Sequence, residues 1–360
     1  MLLIAAIGFF AGQCGAEEGS VLPDIVFSLK VWEGTYVSQD VPGGVKSTPA
    51  VSTIWGVRAD GSELRKLVDM GGAADAPTLS PDGRWLYFQC NAGGHYSEYR
   101  CRPDGGGVEN LTANHGLGAQ WLDAYGCSLS ADGSTMAYTV HDGSIGNVVV
   151  ANADGSGARL LAPELGYTYM AAMSPDGRSV AFSGPARGYR LLLRDLPDGT
   201  VRELTPAHPD SYAPQFTPDG KTVVFVRRDG DVYRVDTDGG NLQRLTSGNE
   251  YVEFRLSAQD SHGSTDGPRV SPDGAMVAFI ARRGGAPNLW VMDLDGGGQR
   301  QVTQRRTPCG RPRWSPDGRQ LAFVSFEGDY PQLFVVGLDG GEARRLTDLP
   351  GAVSLVEWRR

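Results

Sequence analysis

From residue 25 onward, short apolar runs alternate with polar, glycine-bearing punctuation. Trp85-Leu86-Tyr87-Phe88, Leu289-Trp290-Val291-Met292 and Leu333-Phe334-Val335-Val336 are representative. Runs of this length, rich in aromatic and β-branched residues and separated by turn signals every 8–12 residues or so, predict short strands and an all-β chain.

The punctuation is itself periodic. Ser/Thr-x-Asp-Gly occurs six times, beginning at Ser80, Ser130, Ser174, Thr217, Ser271 and Ser315, at intervals of 50, 44, 43, 54 and 44 residues. In five copies x is Pro, which presets φ at the first corner of a tight turn. Asp bonds nearby backbone and Gly accepts positive φ. An apolar strand follows each copy, then a loop, a second strand, another Asp-Gly turn and a strand closing on Leu-Thr or a relative. Asp238-Gly239 to Leu245-Thr246 and Asp339-Gly340 to Leu346-Thr347 are clear examples. This is the period of a four-stranded propeller blade, and stacked blades bury faces that single strands cannot.

The second half of the repeat occurs seven times, starting at Asp60-Gly61. Ahead of it stand two strand candidates, Ile25 to Trp32 and Ser52 to Val57, with no innermost strand of their own. Val353 to Trp358 matches the missing strand, as judged against Pro312-Arg313-Trp314. The reading is one β-propeller over residues 25–360, with seven blades (six as the alternative). It is closed by a C-terminal strand joining the N-terminal blade, which removes two open sheet edges.

Residues 1–24 read as an export signal and short leader. Met1 to Phe10 is apolar but too short to span a bilayer, and Ala11-Gly12-Gln13-Cys14 follows. No Lys or Arg precedes the run, and Gln13 stands where a lipobox carries a small residue. Cys14 is nonetheless the candidate for lipid attachment, and so for a membrane anchor. The expectation is an exported chain, periplasmic or associated with the outer membrane. Cys90 and Cys101 flank a glycine-rich loop, so a disulfide between them is one expectation and two free buried thiols the other. A net charge of −9 leaves no surplus to neutralise phosphates, which argues against nucleic acid.

Trp314-Ser315-Pro316-Asp317-Gly318-Arg319, continuing to Leu321-Ala322-Phe323, resembles the PD40 repeat of TolB-like (WD40-like) propellers. A more distant resemblance runs to the propellers of oligogalacturonate lyases and prolyl oligopeptidase-like peptidases. The quoted residues make turns and core, so the resemblance implies a fold more than an activity. TolB proteins carry an α/β domain before the propeller, whereas about 24 residues precede the first strand here. The peptidases carry a Gly-x-Ser-x-Gly elbow, and this sequence has none.

Strand order assigns the two kinds of Asp-Gly turn to one short, regular face. The loops between second and third strands, and the connections between blades, form the opposite irregular face, where function is more often placed. All five histidines fall there. His115, Trp121, Asp123, His141, His208, Tyr251, Asp260, His262 and Arg305 are the candidate ligand- or partner-binding residues, in and around the long segments Asn114 to Tyr125 and Gly248 to Asp266. No metal-ligand spacing stands out, and no cofactor is expected. The reading is a non-catalytic binding propeller of the envelope or periplasm that recognises a protein or glycan. The alternative is a metal-assisted lyase or hydrolase of uronate-type polysaccharides, which requires three or more His, Glu, Asp or Gln side chains to meet at one point.

Overall fold

A computed structural model describes residues 22–32, 38–41, 44–47, 50–113, 115–118, 120–185, 189–206, 210–250 and 267–359. Seven four-stranded antiparallel sheets follow one another as the blades of a ring. The innermost strands of blades 2 to 7 are Ala74–Leu79, Asp123–Leu129, Tyr169–Met173, Ser211–Phe216, Arg269–Val270 and Cys309–Trp314. Blade 1 combines the two ends of the chain: Ala352–Trp358 lies innermost and pairs with Ile25–Trp32, followed by Ala50–Val57 and Arg65–Val68. The closure expected from the strand count is therefore present. Between Trp32 and Ala50 stands a small hairpin of Ser38–Val41 and Gly44–Ser47.

Each Ser/Thr-x-Asp-Gly turn is a closed set of hydrogen bonds. Ser80 Oγ donates to Asp82 Oδ1 at 2.6 Å, the Arg84 amide donates to the same oxygen, and the Trp85 amide donates to Ser80 Oγ. The hydroxyl-to-carboxylate bond is 2.6 Å in every one of the six copies. Bonds from the Ser or Thr hydroxyl, and then from backbone, hold these six carboxyls below their usual range. The motif also works between blades. A Cβ on Gly133, Gly220, Gly274 or Gly318 would come within 3.2 to 3.9 Å of the proline of the preceding turn, so the turns pack as a collar.

The apolar core lies between blades. In one cluster Ala181, Leu191 and Leu193 of blade 4 pack against Phe216, Val223 and Phe225 of blade 5. The glycine of the second Asp-Gly turn shares in this contact. Gly105, at φ +90, would place a Cβ 2.0 Å from the Leu67 carbonyl oxygen of blade 1, and Gly155 faces Leu111 of blade 2 at 2.5 Å. Gly239 has nearly the same φ, +89, with nothing within 4 Å. The pair separates backbone strain from packing. Gly239→Ala should cost about 1 kcal/mol, and Gly105→Ala roughly 2–4 kcal/mol, in denaturant unfolding. Equal losses would remove the interblade role assigned to Gly105.

The strand register keeps the two cysteines of the disulfide expectation apart. Cys90 and Cys101 are both buried and unbridged. In the hairpin of Leu86–Cys90 and Ser97–Cys101, Cys90 pairs with Ser97 and Cys101 with Leu86, at opposite ends of the ladder. Four residues of strand separate them by about 13 Å, twice the reach of a disulfide.

Candidate functional site

Irregularities in the innermost strands shape the central channel. In blades 2, 3, 4, 5 and 7 the pairing with the next strand shifts register after Asp75, Tyr125, Tyr169, Tyr212 and Gly310, and blade 1 shifts beside Ser354. The residue after each takes a left-handed conformation: Ala76, Gly126, Met170, Ala213, Arg311 and Leu355 lie at φ +45 to +77. A bulge of this kind bends the strand and re-aims the side chains on either side of it. The residues before it ring the mouth on the irregular face, and those after it line the opposite half of the channel.

Three consecutive blades carry tyrosine before the bulge, and loop tyrosines lie beside them. Tyr96 and Tyr125 have ring centroids 5.7 Å apart. Tyr167 lies 6.4 Å from Tyr169 and 6.0 Å from Tyr189, and Tyr189 lies 5.4 Å from Tyr212. Backbone bonds hold the loops in place: the Ala124 amide donates to the Tyr96 carbonyl, and the Ser211 amide to the Tyr189 carbonyl, each at 2.8 Å. The six rings form an arc over blades 2 to 5. Five are half-buried and Tyr169 is 37% exposed, in contrast to Tyr87 and Tyr138, which lie in the core. Burial raises the phenols of Tyr96, Tyr125, Tyr167 and Tyr212 to about 12, and Tyr169 adds to the rise at Tyr125. Every one of these four is a neutral hydroxyl near pH 7, able to donate and to accept. A carboxylate stands near each end. Asp123 accepts from the Tyr96 amide at 2.8 Å, and the Tyr212 hydroxyl donates to Asp210 at 3.1 Å.

The residues singled out in the sequence are only partly brought together. Asp123 and His141 face each other across the first two strands of blade 3, and Asp123 lies 3.6 Å from His95. Asp123 and Tyr125 belong to the innermost strand, not to a loop. His141 accepts from the Gly143 amide, and His115 from the Leu117 amide, so each imidazole closes a local turn. Burial lowers the pKa of His115. Trp121 packs on the core between blades 2 and 3, and its buried indole nitrogen has no partner among the described residues. Arg305 sits away from this group, in the connection from blade 6 to blade 7, its backbone held by Asn288. Its guanidinium stacks 4.2 Å over Phe334 and pairs with Glu327 at 2.7 Å. His208, Tyr251, Asp260 and His262 lie outside the described residues, as does Cys14. Among the described residues no three His, Cys, Asp or Glu side chains converge as a metal site would require.

Two features escaped sequence reasoning. The tyrosine arc is one, since Tyr96, Tyr125, Tyr167, Tyr169, Tyr189 and Tyr212 come from four repeats; the recurrence of Tyr early in three innermost strands was its available signal. The other is a cavity of about 500 Å³ at the regular end of the channel. It is lined by the turn prolines and by Thr78, Ser128, Gln215, Arg313 and Glu357. Much of its polar lining is already engaged: Arg313 pairs with Glu357 at 2.9 Å, Ser128 accepts from the Met173 amide, and Gln215 accepts from the Val270 amide. Polar residues two before the Ser or Thr of five of the six turns (Thr78, Ser128, Gln215, Arg269 and Arg313) were the signal for that lining.

Comparison with known proteins agrees with this architecture. Residues 253–354 match the family model described as the TolB beta propeller domain, PD40. The Tol-Pal system protein TolB of Francisella tularensis is 26% identical over 238 residues, covering 61% of this chain and 48% of its own length. The matched stretches span less than half the length of each of the curated relatives compared. Among solved structures, puromycin hydrolase (the S511A mutant complexed with PGG) superposes with a TM-score of 0.65 at 17% identity, over 92% of this chain and 54% of that one. An oligogalacturonate lyase in complex with manganese gives 0.61 at 15%, over 91% and 86%. At such identities the solved structures establish fold alone. With the repeat and the closure together, the chain is a seven-bladed β-propeller, and its residues 253–354 match the TolB beta propeller domain, PD40.

Proposed function

We propose that this chain is a non-catalytic binding propeller of the cell envelope, exported to the periplasm or held at the outer membrane, which captures a protein or glycan with its irregular face. The observation that carries the reading is the arc of six partly exposed tyrosines at that mouth of the channel. Tyrosine supplies large, amphipathic contact area at low conformational cost, which is why it is enriched at interfaces. The envelope assignment draws on the relatives named as TolB and on the apolar leader, Met1 to Phe10.

The test is retention of envelope components on the immobilised chain. Tyr169→Ala with Tyr189→Ala should abolish retention while leaving the melting temperature within a few degrees. Arg319→Ala, an exposed position on the regular face, should retain as the unaltered chain does. Retention that survives the arc substitutions, or that disappears with Arg319→Ala, would move the binding surface elsewhere.

A further inference from the structure

We infer that the ligand of the tyrosine arc is a saccharide chain without acidic groups, neutral or N-acetylated, lying across blades 2 to 5; this rests on the binding reading above and names its partner. Four features of the arc point the same way. The rings are tilted steps and not one flat stack, at interplanar angles of 44° to 60°, with centroids 5.4 to 6.4 Å apart within each of two groups, Tyr96–Tyr125 and Tyr169–Tyr167–Tyr189–Tyr212. A row of separate platforms at that spacing suits consecutive pyranose rings, whose C–H faces pack on aromatic faces while their hydroxyls stay at the rim.

The polar groups within reach are suited to hydroxyls. The phenols of Tyr96, Tyr125, Tyr167 and Tyr212 stay protonated; each keeps a lone pair to accept from a sugar hydroxyl, while the Tyr212 proton is already given to Asp210. Asp123 and Asp210, near opposite ends, each present carboxylate oxygens that accept from hydroxyl donors.

Relief is the third feature. Tight protein partners insert apolar or aromatic anchors into desolvated pockets. The cavity lined by the turn prolines is at the other mouth, and the arc residues are not among its lining. Charge is the fourth. Two carboxylates flank the arc, Arg228 stands beside one of them, and the whole chain carries −9. Such a surface disfavours a polyuronate.

The test is calorimetric titration of the full chain with three hexasaccharides: chitohexaose, cellohexaose and a hexameric oligogalacturonate. Binding of at least one of the first two, with oligogalacturonate weaker, is the expected result. Tyr169→Ala with Tyr189→Ala should weaken that binding on the order of tenfold or more. Tyr189→Phe keeps the platform and loses only a hydroxyl, so it should weaken binding several-fold at most, and it serves if the double variant misfolds. Binding of neither uncharged sugar at millimolar concentration overturns the inference, as does binding indifferent to the arc variants or strongest for oligogalacturonate. Arc-dependent retention of an envelope protein in the absence of sugar binding would overturn the saccharide alone and leave the binding propeller standing. Loss of both would remove the two together.

Discussion

Replacing Glu98 by leucine should stabilise the ring at pH 8 by several kcal/mol and flatten its stability across neutral pH. Glu98 is 1% exposed in the third strand of blade 2, and the Leu111 amide donates to its carbonyl. The same backbone bond marks the equivalent position in the next five blades, occupied by Val148, Leu191, Val232, Leu289 and Leu333. A carboxyl has replaced an aliphatic side chain in the core. One of its oxygens has no partner among the described residues, and burial pushes its pKa from 4.5 up to about 8. At about 1.4 kcal/mol per pH unit this amounts to about 5 kcal/mol as an upper bound.

The sign follows from proton counting. Between pH 4.5 and 8 the folded chain holds a proton that the unfolded chain has released, so stability falls as pH rises through this window and levels off above it. Neighbouring Tyr138 and Cys127 are themselves pushed up by burial and then by the Glu98 charge, so neither offers compensation near neutrality. Guanidinium unfolding at pH 5, 7 and 8.5 measures the slope. A difference between Glu98→Leu and the unaltered chain that is the same at all three values would refute the buried-proton account.

Truncation before Ala352 should have the largest effect of any change considered. Ala352, Val353, Val356 and Trp358 are buried in the cluster shared by blades 7 and 1, and Arg359 is paired with Asp24 across the closure. At about 1.5–3 kcal/mol for each large apolar side chain, their burial contributes roughly 5–9 kcal/mol, comparable to the whole stability of a typical domain. Removal also leaves Ile25–Trp32 as an exposed, apolar edge strand, so aggregation is expected along with unfolding. A synthetic peptide of residues 350–360 added during refolding should restore part of the cooperative transition. A truncated chain that melts within a few degrees of the full one would show that the ring does not depend on this strand.

Blade period, blade number and closure were legible because their determinants are local. A turn needs Pro, Asp and Gly at adjacent positions, and six repetitions at near-constant intervals leave few alternatives for the strands between them. The missing innermost strand of blade 1 was visible for the same reason, as a gap in a repeating pattern that Val353 to Trp358 could fill. The site was less legible. His115 and His141 were found on the irregular face, but they close their own loops, and Arg305 is engaged on blade 7.

What a residue meets in the neighbouring blade lies beyond any local pattern. Gly105 reads as turn chemistry, like Gly239, until the Leu67 carbonyl is found against it. Cys90 and Cys101 flank one loop, yet strand register places them at opposite ends of a ladder. Glu98 sits in a strand that alone would tolerate it on either face, and the packing of blade 2 on blade 3 decides that it is buried. The tyrosine arc is the clearest case. Its members span more than a hundred residues of sequence, and only the radial arrangement of the blades, with a bulge at the same place in the innermost strands of blades 2 to 5, turns them toward one mouth. Turn and strand signals act between neighbours in sequence, and so are written in it. Contacts across a ring arise from curvature summed over all seven blades, and so appear only when the ring is closed.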